Sequence, residues 1–157
     1  MGIKSLTQTI KKHSPEAITN DNLYKLSGKK VAVDASLVIY QQLLSSRAGF
    51  FYNSKGKITN HIIGLFYKII NYLSIDIELL FVFDGKPPDN KQLCIQERKD
   101  KSSQAREMME LTTDKEEKEK LEKLSTRVTK EMIDDVKHLL NLLGVSYIHP
   151  EVGEGEA

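Results

Sequence analysis

Two short apolar runs, each followed by an aspartate, constrain the fold of this chain more than any other feature. The first leads into Asp34 and the second, at residues 78–83, leads into Asp84. Runs of this length are typical of strands buried in a parallel sheet. A third apolar run occupies residues 145–148. Apolar residues at helical spacing predict helices at 35–44, 59–73 and 132–143. Strands that alternate with helices predict an α/β fold with a parallel sheet flanked by helices.

Four carboxylates follow the strands of this predicted sheet. Asp34 and Asp84 come directly after the first two strands, and Glu154 and Glu156 follow the third within a short loop. Because the carboxyl ends of parallel strands meet at one edge, we expect these side chains to lie together. Close carboxylates need counter-charge, and oxygen-only ligands favour Mg²⁺, with Mn²⁺ as a substitute. The pattern predicts a divalent-metal site that could activate water against a phosphodiester.

Each candidate also has a purely structural interpretation. Asp34 precedes a helix and would serve as its N-cap, whereas Glu154 and Glu156 fit a solvated acidic segment. Arg47 would be a partner of a helix dipole rather than a phosphate contact. Tyr40 would be a core residue rather than a stacking platform for bases. Spacing alone does not decide between these alternatives.

The charge distribution indicates a local basic face rather than a basic protein. The formal net charge is +1, yet six basic residues stand against three acidic ones between Lys86 and Arg106. Half of residues 91–130 are charged, which predicts a solvated helical hairpin or a mobile cover that contacts phosphates. A capping box that opens at Thr113 predicts a new helix there.

The remaining composition indicates an intracellular protein that does not enter a membrane. Cys94 is the single cysteine and cannot form an internal disulfide, which suits a reducing compartment. No apolar run approaches the ~20 residues needed to cross a bilayer.

Three ordered blocks closely resemble the flap endonucleases, which belong to the XPG-type 5′ nucleases. The blocks are Met1-Gly2-Ile3 with residues 30–36 and 39–41, then residues 81–88, then residues 137–147. The resemblance covers essentially the whole chain and implies a PIN-like 5′-nuclease fold. It also implies three parts, namely an N-terminal nuclease region at 1–100, a charged helical arch at 101–130 and the start of an internal nuclease region at 131–157.

The resemblance assigns roles to individual residues. The implied metal ligands are Asp34, Asp84, Glu154 and Glu156. The implied basic pair that stabilises the transition-state phosphate is Lys91 and Arg98. The implied DNA contacts are Tyr40, Arg47, Lys68 and Glu154. Lys68 replaces an arginine, which keeps the charge but loses bidentate geometry. Gly153 and Gly155 replace a serine and an alanine, and each glycine costs roughly 1 kcal/mol in a helix.

The activity implied by the resemblance is Mg²⁺-dependent hydrolysis of branched or 5′-flap DNA in replication and repair, with 5′→3′ exonuclease activity. The family's later aspartates and its clamp-binding tail would follow Ala157. We therefore expect an incomplete sheet and little or no activity from this chain alone. A sliding clamp is an expected partner of a longer form, and a eukaryotic source would imply a nuclear location. The alternatives are a non-catalytic DNA-binding remnant, a related 5′→3′ exonuclease and a bubble-cutting nuclease.

Overall fold

A parallel sheet of three strands forms the centre of the chain. The computed structural model describes residues 5–45, 49–87 and 92–151. The strands are β1 (Lys30–Asp34), β2 (Glu78–Val82) and β3 (Ser146–Ile148). Their order is β1-β2-β3, and both pairs are parallel. The predicted α/β fold with a parallel, open sheet is thereby confirmed.

Helices of the described ranges precede, connect and flank these strands. The α-helices are α1 (Leu6–His13), α2 (Ala35–Leu44), α3 (Asn60–Leu73), α4 (Gln92–Leu111), α5 (Lys115–Ser125) and α6 (Lys130–Leu142). Two short 3₁₀ turns, Pro15–Ala17 and Leu23–Leu26, lie between α1 and β1. None of the helices in these ranges combines the length and the apolar content that a membrane span requires.

The hydrophobic core lies where α2, α3 and α6 pack against the sheet. Its buried residues are Ala35, Val38, Ile39, Leu65, Ile69, Ile77, Leu79, Phe81, Phe83, Val136, Leu140 and Val145. Only part of the apolar face of α3 is covered by the core, because Leu65 and Ile69 are buried whereas Phe66 and Ile70 remain exposed. Gly144, at a φ of 66°, ends α6 in the left-handed conformation that glycine adopts without strain.

Helices α2 and α3 approach each other closely at Gly64. A Cβ atom built on Gly64 would lie 2.3 Å from Oε1 of Gln42 and 3.2 Å from its Cβ. Only glycine therefore fits this contact without a shift of the side chain of Gln42. Since α2 directs Val38, Ile39 and Leu43 into the interior, the side chain of Tyr40 is left 40% exposed.

Helices α4 and α5 form the predicted charged hairpin and pack chiefly against each other. The N-cap of α5 is Asp114, whose side chain accepts from the amide of Glu116 at 3.0 Å. The predicted helix start is confirmed, although the cap lies one residue after Thr113. Ser102 and Ser125 are buried in the hairpin, and the hydroxyl of Ser102 donates to the carbonyl of Ser125 at 3.1 Å. The division predicted at residue 100 falls within α4.

Candidate functional site

Asp34 and Asp84 lie at the same edge of the sheet. Asp34 is the last residue of β1 and is in register with Val82, the last residue of β2. Asp84 follows two residues later, and both aspartates are exposed. The parallel register therefore places the two aspartates at the carboxyl ends of neighbouring strands, where open α/β sheets bind their ligands.

Asp34 serves as the N-cap of α2. Its Oδ1 accepts a hydrogen bond from the amide of Leu37 at 2.8 Å. The structural role considered from the sequence is therefore present. It does not exclude metal binding, because a carboxylate offers about four lone pairs on two oxygens. The bond fixes the orientation of the side chain at the edge of the sheet.

The loops after β2 and β3 are joined by main-chain and side-chain bonds. The amide of Phe83 donates to the carbonyl of Ile148 at 2.8 Å, and that of Lys86 to Glu151 at 3.2 Å. Between them, the imidazole of His149 contacts the carbonyl of Asp84 at 3.0 Å. A cleft of about 640 Å³ opens here, lined by Asp84, Gly85, Lys86, Pro87, His149, Pro150 and Glu151.

His149 is a residue of the candidate site that the sequence pattern did not predict. The ring lies at the carboxyl edge and contacts the ammonium of Lys137 in α6 through Nδ1 at 2.7 Å. The available signal was its position directly after a predicted strand, the same position that Asp34 and Asp84 occupy. Lys137 was quoted only as part of a resembling block.

The described residues supply part of the predicted ligand set. Glu154 and Glu156 lie outside the described residues. Within residues 5–45, 49–87 and 92–151, no three His, Cys, Asp or Glu side chains form a metal-binding group. Asp34 and Asp84 are the two predicted ligands within these ranges, and their oxygen donors fit a hard cation such as Mg²⁺.

Tyr40 and Arg98 line one cleft, which lies between α2 and the hairpin of α4 and α5. The cleft has a volume of about 810 Å³. Its apolar lining includes Ala105, Met108 and Leu121, and its basic lining comprises Arg98, Lys99, Lys101 and Arg127. The lining thus includes an exposed aromatic side chain and four basic residues, a combination that suits an unpaired nucleic-acid strand.

Lys68, the other predicted DNA contact among the described residues, does not line this cleft. Lys68 lines a separate cleft of about 440 Å³, together with Tyr24 and Asn71. Arg47 and Lys91 lie outside the described residues. Of the predicted phosphate and base contacts, the structure therefore brings together Tyr40 and Arg98.

Helix α3 contains a buried histidine, His61. His61 is 1% exposed, and neither ring nitrogen has a hydrogen-bond partner in the described structure. Burial lowers the pKa of His61, and the negative charge of Asp135 offsets this in part. On the surface nearby, a hydrogen bond to Glu131 raises the pKa of Lys57. His61 is therefore a buried residue of α3, and it lines neither the cleft at Asp84 nor the cleft at Tyr40.

The XPG N-terminal domain family matches residues 1–105, which is more than half of the chain. The chain belongs to this family. Flap endonuclease 1 of Meyerozyma guilliermondii is 39% identical over 154 residues, which cover 94% of this chain and 41% of that protein. Flap endonuclease 1 of Xiphophorus maculatus is 38% identical over 153 residues, which cover 94% and 40%.

Solved structures agree with the XPG assignment. The catalytic core of Rad2 in complex with DNA substrate superimposes with a TM-score of 0.61 at 28% identity, covering 98% of this chain and 39% of that one. Flap endonuclease-1 from Methanococcus jannaschii gives 0.59 at 35% identity, covering 88% and 45%. The predicted family is confirmed, and its members generally depend on divalent metal. This XPG chain spans about two fifths of the length of the curated relatives it matches.

Proposed function

We propose that this chain forms the metal-binding edge of a structure-specific 5′ flap endonuclease, which hydrolyses phosphodiesters of branched DNA with Mg²⁺. The observation that carries the proposal is the position of Asp34 and Asp84 at the carboxyl ends of two paired parallel strands. Acids at this edge, in a chain of the XPG family, are where a metal for phosphodiester hydrolysis would bind.

In the proposed mechanism, Asp34 and Asp84 would hold the cation, with Glu154 and Glu156 as further ligands. When bound, the cation would lower the pKa of an attacking water and compensate phosphate charge. Mn²⁺ would substitute, since it accepts the same oxygen ligands. Arg98, together with Lys91, stabilises the negative charge that develops on the scissile phosphate.

The proposed DNA partner is a 5′ flap or another branched duplex. The ring of Tyr40 would stack on an unpaired base beside the cations of the 810 Å³ cleft. Arg47, Lys68 and Glu154 would contact DNA elsewhere. The comparison with Rad2, which was solved with its DNA substrate, supports a DNA partner. Replication and repair, 5′→3′ exonuclease activity, a sliding clamp for a longer form and a nuclear location in a eukaryote remain parts of this proposal.

A second candidate function is DNA binding without cleavage. It is favoured by the hydrogen bond that already engages the carboxylate of Asp34 as a helix cap. The two candidates differ in their metal dependence. A binder would retain its affinity for DNA without Mg²⁺ and would not cleave.

The deciding experiment measures Mn²⁺ binding and cleavage of a labelled 5′-flap DNA, with and without Mg²⁺. Wild type is compared with Asp84→Ala, and with Asp134→Ala as a control for an exposed acid on α6. The proposal expects Mn²⁺ binding, and any cleavage, to be lost in Asp84→Ala alone. DNA binding without Mn²⁺ binding or cleavage in the wild type would favour the second candidate.

A further inference from the structure

Two polar contacts of His149 connect Lys137 of α6 to the backbone of Asp84. The ammonium of Lys137 lies 2.7 Å from Nδ1 of His149. Nε2 of the same ring lies 3.0 Å from the backbone carbonyl oxygen of Asp84. Lys137 belongs to α6, His149 follows β3 and Asp84 follows β2. One side chain thus connects three separate elements at the candidate metal edge.

The chemistry of the two partners determines which ring nitrogen carries the proton. An ammonium group only donates and a carbonyl oxygen only accepts. Nδ1 must therefore be the acceptor from Lys137, and Nε2 must carry the hydrogen that is donated to Asp84. The two contacts together select one neutral tautomer of His149.

Aromatic packing holds the ring and the ammonium in place. The buried ring of Phe83 lies 5.9 Å from the ring of His149 and 5.7 Å from that of Tyr147, measured between centroids. Nζ of Lys137 lies 5.2 Å from the centroid of Phe83, within the range of a cation–π contact. Although His149 is exposed, Phe83 and Lys137 restrict its orientation.

We propose that His149, oriented by Lys137, is a positioning residue that fixes the backbone of Asp84 and thereby sets the carboxylate for metal binding. This inference rests on the proposed function for the role of Asp84 as a ligand. The main-chain bonds from Phe83 to Ile148 and from Lys86 to Glu151 flank the contact on both sides. Between these two main-chain bonds, the carbonyl of Asp84 is bonded by the side chain of His149. A substitution of His149 should therefore loosen the loop at Asp84.

The first test needs no metal. Nitrogen-15 NMR of the wild-type chain should show the Nε2–H tautomer of His149, and Lys137→Met should release this preference. Hydrogen exchange of the Phe83 and Lys86 amides should accelerate about 5- to 10-fold in His149→Ala, since the loss of one hydrogen bond weakens the loop. An Nδ1–H tautomer in the wild type, or unchanged exchange in His149→Ala, would overturn the inference.

A matched pair of substitutions separates positioning from simple loss of packing. His149→Gln places an amide donor at the distance of Nε2, whereas His149→Asn keeps an acceptor near Nδ1 but no donor that reaches Asp84. We expect Gln to restore wild-type exchange and Asn to behave like Ala. His138→Gln, an exposed histidine on α6, serves as the control. Equal behaviour of Gln and Asn would contradict the proposal.

The second test measures Mn²⁺ affinity by electron paramagnetic resonance on the same variants. Residues that orient metal ligands typically change affinity 10- to 100-fold, so we expect weakening of about 10-fold in His149→Ala and His149→Asn. His149→Gln and His138→Gln should match the wild type. If the wild type binds no Mn²⁺ at all, the proposed function fails, while tautomer and exchange still decide whether His149 fixes the loop.

Discussion

Nε of Arg127 donates a hydrogen bond to the hydroxyl of Ser102 at 2.8 Å, across 25 positions of sequence. Nη2 of Arg127 also donates to the carbonyls of Lys99, at 2.5 Å, and Arg98, at 3.4 Å. The hydroxyl of Ser102 in turn donates to the carbonyl of Ser125. We call these contacts the Arg127 clasp. The clasp joins the segment after α5 to the middle of α4, close to the backbone of Arg98.

Arg127→Met should open the hairpin locally without unfolding the sheet. The substitution removes three hydrogen bonds from a planar guanidinium, and we expect local stability to fall by about 1 kcal/mol or more. Arg127→Lys should recover only part of this, because an ammonium lacks the fork geometry. Hydrogen exchange of α4 and α5 amides measures the effect. Arg106→Met, on the exposed face of α4, is the control, and equal exchange in both Met variants would contradict the role of the clasp.

Arg98→Gln and Tyr40→Ala should each weaken binding of single-stranded DNA. Arg98 would lose a phosphate contact, which should reduce the salt-dependence slope by about 0.7. Tyr40 would lose a stacked base, worth about 1–3 kcal/mol, with little change in the slope. Fluorescence anisotropy over a range of salt concentrations separates the two effects. Arg106 does not line the cleft that Tyr40 and Arg98 share, so Arg106→Gln should change DNA affinity least of the three. If Arg106→Gln loses as much affinity as Arg98→Gln, the role of the cleft in DNA binding is wrong.

Asp34→Ser and Asp34→Ala should separate the two roles of this carboxylate. Serine is as good an N-cap as aspartate, so the free energy of unfolding should change little in Asp34→Ser, whereas alanine should cost about 1 kcal/mol. Mn²⁺ affinity should fall in both, because both lose the carboxylate. Urea unfolding and metal titration of the same samples provide the comparison. Normal Mn²⁺ binding by Asp34→Ser would show that Asp34 is a helix cap only.

The stability of the wild type should decrease in acid because of His61. The unfolded chain takes up a proton near the ordinary pKa of 6.5, whereas burial lowers the pKa of the folded ring. The unfolded state therefore binds more protons as the pH falls below that value. Stability is retained above it and declines below it, with a slope of up to about 1.4 kcal/mol per pH unit.

The variant His61→Leu should flatten this pH dependence. Leucine fills a similar volume and removes two buried ring nitrogens that lack hydrogen-bond partners in the described structure, so stability at neutral pH should not fall greatly. Urea unfolding between about pH 5 and about pH 8 measures the slope. His138→Gln should keep the wild-type slope. An unchanged slope in His61→Leu would assign the acid sensitivity to other groups.

The sequence predicted those features that depend on local pattern. The apolar runs located β1 and β2, and helical spacing located α2 over the observed Ala35–Leu44. Local pattern did not reveal how much of a helix is covered, since Phe66 and Ile70 have the spacing of core residues and are exposed. The width of the covered face depends on neighbouring helices, which spacing does not encode.

Local sequence pattern could not predict which residues distant along the chain contact each other. His149 and Asp84 are 65 positions apart, and their pairing depends on the register of β2 and β3. The site of Asp34 was predicted, but its engagement as a helix cap was one of two open alternatives. The roles proposed for Arg47, Lys91, Glu154 and Glu156 remain predictions, because these residues lie outside the described ranges.

The close approach at Gly64 limits how this chain can change by mutation. A side chain at position 64 would require the side chain of Gln42 to move away, and its contact with the Cβ of Gln42, at 3.2 Å, would require a small further adjustment between α2 and α3. Asp34 caps α2 and Tyr40 of the same helix lines the cleft, so any shift of α2 would move both a candidate ligand and a candidate base contact. In a saturation library, position 64 should favour glycine, and shortening residue 42 should relax this preference. Tolerance at these two positions should therefore be coupled, although neither residue is a predicted metal ligand or DNA contact.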